Sequence, residues 1–90
     1  MWIKDFEGTL INLNTMSGIT IQKLNGVHVL ILRNNDGIKD IGLCQSTVRS
    51  KLEVVYNHIE ECISNGVPLV DVKKYVIYNS LWDVEEFKEV

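Results

Sequence analysis

Ser46, Thr47, Arg49 and Lys51 place two hydroxyls and two cations within six residues, where a helix is predicted to begin. The first turn of a helix carries backbone N–H groups without intrahelical partners, and the macrodipole leaves partial positive charge there. Together these make an arrangement that binds phosphate or carboxylate. Arg33, at the end of the preceding long apolar run, is a third cation able to join it. Every helix has such an end, so an ordinary N-cap with solvated basic side chains also fits the pattern. The charge order singles it out. Arg49 and Lys51 open the helix and Glu60 and Glu61 come near its close, against the dipole. Stability alone does not select that order.

Other reactive residues form no constellation. His58 and Cys62 are four apart, a spacing that can hold a metal, with Cys44 upstream as a third donor. Three donors without a surrounding motif predict no metal site, two free thiols, a solvated His58 and Cys62 at a helix edge. His28, between Val27 and Val29, reads as a sheet-face residue. There is no nucleophile elbow and no glycine-rich loop before a helix. Glu60-Glu61 and Glu85-Glu86 are adjacent pairs, which diverge on a helix. Without a nucleophile, base and electrophile in one pattern, the expectation is a protein that is not an enzyme and uses no cofactor. The net charge is −3 and no basic run exceeds Lys73-Lys74, which disfavours nucleic acid and anionic membranes as partners. No apolar stretch approaches the roughly 20 residues of a membrane span, and Met-Trp-Ile-Lys-Asp does not read as a signal peptide. The cytoplasm is the expected location.

The elements that must position these residues follow from periodicity. Ser46 to Ser64 has the helical period, with Val48, Leu52, Val55, Tyr56, Ile59 and Ile63 on one face. It stops at Asn65-Gly66, with Pro68 beyond. Upstream, turn residues separate short apolar runs. Trp2 to Phe6 and Thr9 to Asn14 flank Glu7-Gly8, and Ile19 to Leu24 and Val27 to Arg33 flank Asn25-Gly26, a strong type I′ hairpin signal. Val27 to Arg33 is β-branched and almost wholly apolar. Asn34 to Gly37 reads as a further hairpin turn before Ile38 to Cys44, where Gly42 suggests a bulge. Parallel pairing needs a crossover of a dozen or more residues, and the short links offer none. Leu69 to Tyr78 fits strand or helix. Its Tyr, Val and Ile content favours a strand over Lys74 to Tyr78. The predicted fold is α+β in one domain: a five-stranded antiparallel meander over residues 1–45, one long helix over 46–64, and a terminal strand and acidic tail over 65–90.

The aromatic residues Trp2, Phe6, Tyr75, Tyr78, Trp82 and Phe87 gather toward the two chain ends. A chain of 90 residues with 46% hydrophobic content has more apolar surface than one small core uses, which predicts a homodimer. The opening Trp2-Ile3-x-Asp5-x-x-Gly8-Thr9-Leu10-Ile11-Asn12-Leu13-Asn14, the strand Ile19-Thr20-Ile21-Gln22, the Asn25-Gly26 hairpin and the helix opening Arg49-x-Lys51-Leu52-Glu53-Val54-Val55 resemble small proteins of phages and prophages of Gram-positive bacteria. Some phage proteins of similar plan are counter-defence sponges, among them the Thoeris anti-defence proteins that sequester cyclic ADP-ribose isomers. The resemblance implies a host bacterial cytosol and a partner that is a small nucleotide signal, bound without cleavage. Ser46, Thr47, Arg49, Lys51, Arg33 and Trp2 are the candidate ligand contacts. The competing expectation is an inhibitor of a host defence protein such as a CRISPR nuclease, through Tyr78, Trp82 and Phe87. A third is a structural or accessory phage protein.

Overall fold

The computed structural model describes residues 1–34 and 39–88. It is α+β, with two three-stranded sheets and two helices in place of one meander and one helix. The first sheet has the order β2-β1-β6, from β1 (Trp2–Lys4), β2 (Leu10–Asn12) and β6 (Leu69–Asp71). The second has the order β3-β4-β5, from β3 (Met16–Leu24), β4 (Val27–Asn34) and β5 (Ile41–Ser46).

The predicted meander breaks between β2 and β3. A 3-10 turn over Leu13–Thr15, capped by the Asn12 side chain, turns the chain before β3 begins. The second edge of β1 is taken by β6, which pairs with it in parallel, Ile3 opposite Val70. The crossover that the short links did not supply is everything from β2 to the end of the long helix.

Asn25 and Gly26 have φ of 51° and 84°, so the type I′ turn is present and sets the β3–β4 register from Leu24↔Val27. The predicted turn at Asn34 to Gly37, and Ile38 at the start of the fifth strand, fall largely outside the described residues. A register shift places the bulge at Leu43, next to Gly42.

Helix α1 (Arg49–Ser64) starts three residues later than predicted. Ser46 is the last residue of β5, and the N-cap is Val48, which has no capping side chain. α1 buries Leu52, Val55, Ile59 and Cys62, while Val48 and Ile63 stay exposed. The predicted strand over Lys74 to Tyr78 is instead α2 (Val72–Tyr78). Asp71 caps it by accepting a hydrogen bond from the Lys74 amide at 3.0 Å, and Val72 and Val76 bury one face. A local cap here outweighs β-propensity. The core joins Ile3 and Val70 of the first sheet, Leu30, Leu32 and Cys44 of the second, and the inner faces of both helices.

Candidate functional site

The start of α1 does not stand open. The chain after α2 returns across it, and Asp83 occupies the anion position. Ser46 Oγ and the Thr47 amide each donate to Asp83 Oδ2 at 3.1 Å, and Thr47 Oγ1 donates to the same oxygen. The Thr47 and Ser46 hydroxyls, with Lys51 nearby, hold the Asp83 carboxyl below its usual range. Lys51 Nζ donates to the Trp82 carbonyl. Arg49 pairs with Glu53 at 3.2 Å. Four of the six predicted contacts are therefore engaged within the chain.

The other two lie elsewhere. Ser46 is opposite His28 at one end of β4, and Arg33 is five residues along, about 17 Å at strand rise. Trp2 belongs to the other sheet and is 46% exposed. Of the predicted interface residues, Tyr78 and Trp82 are exposed, whereas Phe87 is folded back onto the second sheet. His58 is not simply solvated. Its ring stacks on Tyr75 of α2 at 3.7 Å between centroids, with Cys62 Sγ 3.6 Å from Nε2. Burial pushes the Cys44 thiol up to about 12. No group of three or more metal-binding side chains occurs among the described residues.

A large concave feature among the described residues is lined by none of the candidate contacts except Phe87. It is a groove of about 730 Å³ on the face of β3–β4–β5 away from α1. Val27, Val29 and Ile31 of β4 form an apolar floor with Gln22 and Leu24 of β3 and Gln45 of β5. Phe87 forms one wall, and Lys39, Asp40 and Lys88 stand at the rim. Such a size and lining suit a small organic ligand.

The segment Leu81–Lys88 builds that wall as a strap. Gln45 and Glu85 exchange two backbone hydrogen bonds of 2.9 Å, a single antiparallel bridge on the free edge of β5. The Gln45 side chain donates to Glu85 Oε1 at 2.9 Å and accepts from the Lys88 amide at 3.2 Å. Phe87 lies flat on Gly42, where a Cβ would come within 2.3 Å of the ring. Gly42 is required there by close approach, not by backbone angle. His28 lies on the opposite face of β4, its Nδ1 buried without a hydrogen-bond partner among the described residues.

One sequence signal pointed to the groove. A strand apolar on both faces needs cover on both, and Val27 to Leu32 is such a strand. The helix covers Leu30 and Leu32; something else had to cover Val29 and Ile31.

Chemically, the groove offers an apolar floor, an aromatic wall, the amides of Gln22, Asn25 and Gln45, and a rim of mixed charge from Lys39, Asp40 and Lys88. That set can take a planar ring with polar substituents. No protein-family model, no curated protein and no solved structure matches the chain. No helix among the described residues is long and apolar enough to cross a membrane.

Proposed function

We infer that the protein binds a nucleotide-type signal in the groove on the outer face of β3–β4–β5 and holds it without cleaving it. The setting implied by the sequence resemblance is counter-defence by a phage or prophage inside its bacterial host. The base would lie on the Val27, Val29 and Ile31 floor against Phe87, and the phosphates would face Lys88 at the rim. The groove itself carries this reading: about 730 Å³ of space over apolar residues of β4, with an aromatic wall and Lys88 at the rim.

A thermal-shift panel of cyclic nucleotides and ADP-ribose derivatives tests it. A ligand at about 100 times its dissociation constant stabilises a fold by about 2.7 kcal/mol, several degrees in Tm for a domain of this size. The expected result is a shift with at least one ligand, lost in Phe87→Ala, with the ligand recovered chemically intact. No shift across the panel would sink the nucleotide reading, and recovery of a cleaved product would sink sequestration.

A further inference from the structure

The groove has walls on three sides. Phe87 and Lys88 stand along β5, Lys39 and Asp40 close one end, and Leu24 and Asn25 close the other. On the β3 side it runs out over Gln22. β3 is the outer strand of its sheet and nine residues long, and it makes no backbone hydrogen bond beyond β4 among the described residues. Sheet edges are usually blunted by charge, proline or a bulge. This one has a single charge, Lys23, no proline, and a bulge confined to its start at Ser17.

The direction of its backbone groups follows from the turn. In a two-residue hairpin the flanking pair, Leu24 and Val27, is hydrogen-bonded, and so is every second pair after it. Ile19, Ile21 and Lys23 therefore aim their N–H and C=O groups outward.

We propose that a second copy of the chain pairs along this edge, β3 against β3 antiparallel about a two-fold axis at Thr20, and that its Arg33 completes the groove. This rests on the groove being the ligand site. The Thr20 register pairs the regular stretch of β3 beyond the bulge: Ile19 meets the partner's Ile21, and Gln22 meets the partner's Gly18. Residues directly opposite in an antiparallel pair share a face, so the two groove faces become continuous.

The row Val29–Gln22 of the floor then runs on through the partner's Gly18 to the partner's Arg33, because Gly18 and Arg33 are paired within each chain. At about 4.8 Å per strand, the Cα of the partner's Arg33 lies about 10 Å beyond that of Gln22, within reach of its side chain. Gly18 puts no side chain in the way, and nothing lies within 4 Å of the position its Cβ would take. The groove's own cations are lysines. An arginine adds the planar fork that holds a phosphate bidentately.

Charge on the other face supports this partner. The crevice between α1 and β3 holds the Arg49–Glu53 pair near Thr20 and Ile21, and Glu60 near Ser17 and Gly18. Lys23, toward the other end of β3, is exposed. Antiparallel pairing sets Lys23 of one copy opposite the partner's Ser17, beside the partner's Glu60. The two β4 strands would be three strand spacings apart, about 14 Å, so two helices of about 10–12 Å diameter fit side by side.

Sedimentation equilibrium should give twice the 10.3 kDa chain mass. Lys23→Glu should yield monomer, and adding Glu60→Lys to that chain should restore the dimer. A wild-type monomer, or a dimer indifferent to Lys23→Glu, overturns the interface. The place of Arg33 is read without ligand. A nitroxide on Arg33→Cys goes to that position because Cys44 and Cys62 are buried. Mixed with isotope-labelled wild type, it should broaden the Gln22 and Val29 amide signals of the labelled copy. A dimer without that broadening overturns the completed groove. A dimer that broadens as expected, yet responds to no nucleotide, retires the ligand reading and leaves the interface standing.

Discussion

The two faces of the β3–β4–β5 sheet are equally apolar along β4 and are covered by different means. On one, Leu30 and Leu32 meet Leu52, Val55 and Ile59 of α1, all at most 1% exposed, in a continuous core. On the other, Val29 and Ile31 are nearly as buried, but the cover is the irregular strap from Leu81 to Lys88. The strap is held by edge contacts, Asp83 on Ser46 and Thr47 and Glu85 on Gln45, and it leaves a groove. Close packing is the norm for surfaces that serve folding alone.

The largest expected effect comes from truncating the helix face. Leu30→Ala should lose about 2–5 kcal/mol, because the packed core cannot close over the cavity. Ile31→Ala, one residue along on the groove face, opens into existing space. It should lose mainly the transfer contribution, about 2 kcal/mol at roughly 0.8 kcal/mol per methylene. Urea unfolding of the two variants measures the difference. Equal losses near the upper figure would mean that both faces are packed alike and would remove the basis of the comparison.

The strap can be attacked without touching either core residue. Gly42→Val brings a side chain into the Phe87 ring, whose nearest atom is 2.3 Å from the first added carbon. Overpacking of this kind costs about 1–3 kcal/mol, and here the yielding partner is the strap. The expected outcome is a cooperative fold of moderately reduced stability with Phe87 displaced, seen as loss of amide-exchange protection at Gln45 and Glu85. If protection there is unchanged, the strap is not the movable cover of that face.

What the sequence revealed divides along the same line. Features encoded within a few residues were legible: the Asn25-Gly26 turn, the end of α1 at Asn65, and the helix face of Leu52, Val55 and Ile59. The partner of each short strand was not, because β1 and β6 are three residues long and are held by a crossover of most of the chain. The residues leading into α1 read equally as an anion site or an ordinary cap, and what meets Ser46 and Thr47 is the chain's own Asp83, 36 residues from Thr47. Nothing local to Thr47 announces that. The groove was legible only as a puzzle, a strand apolar on both faces with a single helix available.

The smallest expected effect concerns the two carboxylate anchors of the strap, which respond to pH in opposite directions. The Asp83 carboxyl is held below its usual range by the Thr47 and Ser46 hydroxyls. A depressed carboxylate contributes stability above its unfolded pKa, and that contribution is lost as pH falls through the lowered folded value. Glu7, on the β1–β2 turn, is raised by its hydrogen bond to Glu86 of the strap, with repulsion from Glu86 and Asp5 adding to the shift. A raised carboxyl contributes stability below its unfolded pKa, and that is lost as pH rises through the folded value. Both groups are solvent-exposed, so water screens both effects. Strap protection at Glu85, corrected for intrinsic exchange, should therefore pass through a maximum in mild acid. Glu7→Gln should flatten the limb toward neutral pH, and Asp83→Asn the acid limb. A protection profile that falls steadily with acid in the wild type would show that Asp83 alone governs the strap and that the Glu7–Glu86 contact contributes nothing to covering the groove.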